Sequence, residues 1–109
     1  MRNGIYRVWV NGPESKSSGA IALKDGDLIA VNPSFGFFGH YKFSHGRLTA
    51  DITCRRLCNE EAPVNLPDLE EFHLSLEGPA GKEFACVTGT IAEAPEFALP
   101  FEFAWLCEA

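Results

Sequence analysis

Three histidines, four cysteines and two adjacent glutamate pairs are the residues of this chain that could support acid–base, nucleophilic or metal chemistry. His40 and His45 fall on a strand face and in the turn that follows it, and His73 falls on an outward strand position. A zinc site wants three or four converging ligands, usually with one closely spaced pair. The nearest approach is Cys54-x3-Cys58, and no second pair matches it. Cys54 and Cys86 sit on strand parities that also carry apolar residues, which predicts buried thiols rather than activated thiolates. Glu60-Glu61 and Glu70-Glu71 read as solvated faces, or as favourable charge at a helix start. The chain contains no Gly-x-Ser-x-Gly elbow, phosphate-cradling loop or dinucleotide fingerprint. The residues therefore predict neither an enzyme nor a cofactor or metal protein.

The elements that would position these side chains are organised around Gly36–Cys54. Two runs rich in aromatic and β-branched residues flank the joint His45-Gly46, a strong hairpin signal. Leu48, Ala50, Ile52 and Cys54 share one parity; Thr49, Asp51, Thr53 and Arg55 share the other. A period of two turns the first set to a core and the second to water. Phe37, Tyr41 and Phe43 likewise share a face opposite His40, Lys42 and Ser44.

Before this hairpin, Ile5–Val10, Gly19–Lys24 and Asp27–Val31 read as three strands, the last two joined by the tight turn Asp25-Gly26. Residues 57–68 lose the periodicity and predict one long capping loop, with at most a short helical turn from Pro67 to Glu71. Phe72–Glu77 is a sixth strand. Phe84–Ala92 is a seventh, which Gly89 should weaken, and Leu99–Trp105 is an eighth, in which Pro100 predicts a sheet edge or a bulge. Eight short strands with hairpin-like joints predict an all-β fold. The expected form is an eight-stranded, up-and-down antiparallel β-barrel, lipocalin-like or calycin-like, with residues 1–109 as a single domain.

At 109 residues the chain can hide roughly two-thirds of its unfolded surface in one core. A formal charge of −6 opposes direct binding to nucleic acid or to an anionic membrane. Met-Arg-Asn-Gly leads straight into a strand and no apolar run reaches the ~20 residues of a spanning helix, so a cytoplasmic protein with reduced cysteines is expected.

Two aromatic sets remain. Tyr41, Phe43, Phe72, Phe101, Phe103 and Trp105 are assigned to the barrel interior, which could be filled by them or could hold a small apolar ligand. In Phe35-Gly36-Phe37-Phe38 both parities are aromatic, so a ring must leave the core. With Trp9, the set Phe35, Phe37 and Phe38 is the candidate surface for a homodimer or a protein partner.

The order of these elements resembles the GrlR-like family, small bacterial proteins related to a negative regulator of type III secretion genes. The likeness rests on Asn3-Gly4-Ile5-Tyr6, Gly19-Ala20 before Asp25-Gly26, and Gly39-x-Tyr41 followed by Gly46-x-Leu48-x-Ala50-x-Ile52. Phe72-x-Leu74-x-Leu76-x-Gly78 and Thr88-Gly89-Thr90 continue it along nearly the whole chain. The resemblance implies a lipocalin-like barrel, often dimeric and without known catalysis, that restrains a transcriptional activator by binding it. In the family's characterised regulator that contact uses an acidic loop on this hairpin. Here the joint is Ser44-His45-Gly46-Arg47, without an acidic residue, and Val31-Asn32-Pro33 stands where members tend to carry Gly-Gly-Asp.

Overall fold

A computed structural model describes residues 1–11, 16–31, 34–57, 69–96 and 98–109. It holds eight strands: β1 (Gly4–Asn11), β2 (Lys16–Lys24), β3 (Asp27–Val31), β4 (Phe35–Ser44), β5 (Arg47–Arg56), β6 (Glu71–Pro79), β7 (Phe84–Ile91) and β8 (Ala98–Cys107). Each is antiparallel to its neighbour in sequence, as the short hairpin-like joints predict for an up-and-down barrel, and β8 pairs with β1, so the barrel is closed. The expected long capping loop lies at 57–68, of which only Leu57 is among the described residues.

Two turns set the registers. Asp25 and His45 both have positive φ, 51° and 54°, and each is followed by a glycine at φ 91° or 73°. Two consecutive left-handed residues match the twist of the flanking strands, so Asp-Gly and His-Gly are hairpin turns of the primed kind. The β4–β5 register then runs without a break from Phe35↔Arg56 to Ser44↔Arg47.

Alternation decides the core. In β6 the even positions Phe72, Leu74, Leu76 and Gly78 are buried and the odd ones exposed, and β5 and β7 repeat the pattern. Tyr6, Leu23, Phe35, Leu48, Cys54, Phe72 and Ile91 are the largest side chains fully removed from solvent. Each such aliphatic or aromatic side chain contributes roughly 1.5–3 kcal/mol from apolar burial. Phe35 meets Phe72 edge to face, with ring centroids 5.3 Å apart, a geometry favoured by the ring quadrupoles.

The strand expectations need correction. The faces of β7 are not mixed: its burial alternates cleanly, and Gly89 is accommodated because the Phe101 ring occupies the space a side chain would take. That alternation also turns Cys86 outward with Thr88 and Thr90, so this thiol is exposed, whereas Cys54 is buried as expected. The barrel is closed, so Pro100 lies in a strand with neighbours on both sides rather than at a sheet edge. Among the described residues the β1–β8 register ends at Val10↔Phe101, and Pro100 pairs only with Thr88 of β7. The register shift in this pair lies elsewhere, at the step from Ile5 to Tyr6.

Residues 1–3 strap the barrel end that carries the two primed turns. The Tyr6 hydroxyl stands 2.5 Å from the Arg2 carbonyl and 3.1 Å from the Lys82 carbonyl. The Arg2 guanidinium stacks 3.8 Å from the Trp105 ring centroid and pairs with Glu83 at 2.7 Å. Asn3 exchanges two hydrogen bonds with Asp25, tying the strap to the β2–β3 turn.

Candidate functional site

The outer surface of β3 and β4 departs from the polar-out rule. Ile29 and Phe38 are directly opposed across the two strands, and Val31 opposes Gly36. All three side chains point outward and remain exposed: Ile29 by 64%, Val31 by 70% and Phe38 by 42%. Leu57, 55% exposed, lies over Gly36, since a Cβ placed on that glycine would stand 3.7 Å from Leu57 Cδ2. The row continues from Ile29 to Ala22 of β2 and Ile5 of β1. Scattered exposed apolar side chains are ordinary, but a contiguous group on rigid strands marks a contact surface.

The rim of this face is charged. Arg55 of β5 places its guanidinium 5.5 Å from the Phe38 ring centroid and donates to Glu71 Oε1 at 2.9 and 3.1 Å. On the opposite flank, His40 Nδ1 lies 2.9 Å from Asp27 Oδ1. An apolar centre inside a polar rim is the anatomy of a protein interface.

Of the four residues expected on a contact surface, only Phe38 stands in this face. Phe35 is a correction: it is fully buried, because it shares the inward parity of Tyr41 and packs on Phe72. Phe37 is half-buried on the same inward parity, its ring 6.2 Å from that of Phe35. Trp9 does face outward, but on β1, where Arg7 covers its ring at 4.6 Å and Ser18 and Glu102 flank it. Ile29, Val31 and Leu57 were not anticipated. The signal was present in Asp27–Val31, whose two parities are both apolar apart from Asp27 and so cannot both be inside.

The inner aromatic set divides by height in the barrel. Phe72, Phe101 and Phe103 are buried as expected. Tyr41 and Trp105 are half-buried. Phe43 is the second correction: it is 38% exposed, because the β3–β4 ladder stops at Asp27↔His40 and Phe43 lies three residues past it. At the other end Arg56 also points inward, with a side chain only 7% exposed, 5.4 Å from the Phe35 ring and 3.9 Å from Glu70 Oε1.

A shallow groove of about 410 Å³ crosses the outside of β5, β6 and β7. Thr49, Asp51, Ser75, Glu77, Thr88 and Thr90 line it, and Arg47 beside them pairs with Glu77 at 3.4 Å. These hydroxyls and carboxylates are the solvated face that the alternation predicts. His45 lies in its turn, with Nδ1 2.8 Å from Ser44 Oγ. His73 is engaged by Glu93, with Nδ1 2.5 Å from Oε2. Among the described residues no three His, Cys, Asp or Glu side chains converge to hold a metal ion. Burial pushes the Cys54 thiol up to about 12, the reverse of nucleophile activation. Cys58 and the Glu60-Glu61 pair lie outside the described residues.

No protein-family model matches this chain, and no curated protein matches it. Among the described residues no helix is long and apolar enough to cross a membrane.

Proposed function

We propose that this protein is a non-enzymatic interaction module that binds a protein partner through the outer face of β3 and β4. The observation that carries the reading is the opposed pair Ile29–Phe38, exposed beside Val31 and Leu57 and rimmed by Arg55 and Asp27. Rings and branched side chains fixed on strands lose little freedom on binding, which suits them to be anchors. The resemblance to the GrlR-like family supports an interaction module but not this face, since the acidic hairpin loop of the family's characterised regulator is replaced here by Ser44-His45-Gly46-Arg47. In that form the protein is a cytoplasmic homodimer that sequesters a partner, such as a transcriptional activator, and so acts as a negative regulator without touching nucleic acid.

Phe38→Glu tests it, with light scattering for self-association and titration of a candidate activator for partner binding. The expected result is weakened association with an unchanged unfolding midpoint. Association as tight as in the wild type would overturn the assignment of this face.

A second reading, a small apolar ligand inside the barrel, draws on the inward-facing Tyr41, Phe43 and Trp105, which stay partly open to solvent at the strapped end. Native mass spectrometry of freshly purified protein tests it. A co-purified apolar molecule is expected on this reading, and a bare polypeptide mass would dismiss it.

A further inference from the structure

Two of the eight inter-strand seams are short. Among the described residues the β2–β3 ladder runs only from Ile21↔Ala30 to Lys24↔Asp27, and the β6–β7 ladder only from Leu74↔Ile91 to Glu77↔Thr88, resuming past its Glu77 end in the single bridge Ala80↔Ala85. At the Leu74↔Ile91 end of the second ladder, His73 and the residues after Ile91 continue it by other means. The His73 carbonyl accepts from the Ala92 amide at 3.0 Å. The His73 amide donates to Glu93 Oε1 at 2.8 Å, and the imidazole Nδ1 stands 2.5 Å from Oε2 of the same carboxylate. Next to Glu93, Ala94 donates to the Ile91 carbonyl at 3.2 Å and is 6% exposed, as part of the core.

We propose that His73 and Glu93 form a pH-dependent latch that holds the β6–β7 seam shut at the end where its ladder stops. One carboxylate grips both the backbone and the side chain of a single histidine across the seam, so its strength follows the charge on that ring. A charge-assisted hydrogen bond is shorter and stronger than a neutral one. The hydrogen bond to Glu93 holds the His73 imidazole above the usual histidine range, and the charges of Glu93 and Glu71 act in the same direction. The same contact, with the backbone amide, holds the Glu93 carboxyl below its ordinary value.

The groups facing the latch from the neighbouring strands add little that titrates near neutrality. On β5, Thr53 stands directly opposite His73, with Asp51 and Arg55 two residues to either side. Arg55 is already paired with Glu71. On the β7 side the next outward residue is Thr90, and the Cys54 thiol beneath, which also feels Glu93, stays protonated.

His73 binds its proton more tightly in the fold than in the unfolded chain. Its contribution is therefore complete below the ordinary histidine pKa and is lost as pH rises through the raised value. Glu93 gives the opposite limb, lost as pH falls through its lowered value. The latch is closed between the two.

Amide exchange of Ala92 and Ala94 in the full chain, corrected for intrinsic exchange at each pH, reads the latch directly, beside an NMR titration of His73. Protection of both amides should fall about threefold from pH 6 to pH 9. Glu93→Gln should return His73 to the ordinary histidine range and abolish that fall, and His73→Gln should leave protection independent of pH. Wild-type His73 titrating at or below its ordinary value would overturn the proposal. So would pH-independent protection in the wild type, or a fall that persists undiminished in Glu93→Gln.

Discussion

Gly89 of β7 lies beneath the ring of Phe101 of β8. A Cβ built on Gly89 would stand 2.4 Å from Phe101 Cε2 and 3.0 Å from Leu74 Cδ1. The missing side chain is thus part of the packing. Gly89→Ala should cost about 1–3 kcal/mol through overpacking, seen as a lower urea midpoint at unchanged slope. Phe101→Leu in the same chain should recover part of that loss, because it frees the contested space.

Phe35 and Phe38 are three residues apart and belong to opposite sides of the wall. Phe35→Ala should cost roughly 3–5 kcal/mol, the range for emptying a buried aromatic site. Phe38→Ala should lie within about 1 kcal/mol of wild type, as at exposed sites generally. Parallel thermal or denaturant unfolding of the two variants checks the contrast. Equal losses would mean that the Phe38 ring is part of the core.

The thiols should separate by reactivity. Cys86 and Cys107 are exposed, whereas burial pushes Cys54 up to about 12. At pH 8, brief iodoacetamide treatment followed by peptide mass spectrometry should find Cys86 and Cys107 alkylated and Cys54 unmodified. Cys54 should label only when denaturant opens the barrel.

Tyr6 should make the strapped end sensitive to alkali. Burial pushes its phenol up to about 12, with the charges of Tyr41 and Glu83 adding to the shift and Arg2 opposing it. The folded state therefore holds this proton more tightly than the unfolded chain. Stability is full below pH ~10, the unfolded value, and falls as pH rises towards 12. Tyr6→Phe should remove that part of the alkaline limb. At neutral pH it should cost about 1 kcal/mol, because the Arg2 and Lys82 carbonyls lose a donor. Unfolding midpoints between pH 7 and 11 measure both effects.

Most of the barrel can be read from alternation. Leu48, Ala50, Ile52 and Cys54 announce their inward face without outside help, and the two Asp-Gly and His-Gly joints announce their turns. The exposed apolar face of β3 and β4 was harder, for a physical reason. Alternation assigns residues to sides only where one side is polar, and neither Asp27–Val31 nor Phe35–Phe38 has a clearly polar side. Phe35 is inside because it continues the parity of Tyr41, and that left Phe38 as the ring to be displaced. Phe43 keeps the inward parity and is exposed nonetheless, since parity says nothing about whether an opposing wall exists at that height. Gly89 misled in the other direction: it does not break the alternation of its strand, and the space it leaves admits a ring from the next.

The same shortfall of β3 that exposes Phe43 leaves the tip of the β4–β5 hairpin overhanging. Beyond Tyr41, whose amide reaches the Gly26 carbonyl at 2.8 Å, the described residues offer no strand to Lys42, Phe43 and Ser44 on the β3 side. A bare margin of this kind invites strands from other molecules to stack on it, and a lysine there discourages such growth. Lys42→Val would turn a guarded border into a template. Concentrated solutions of that variant should seed fibrils detectable by thioflavin fluorescence, while the parent sequence stays clear.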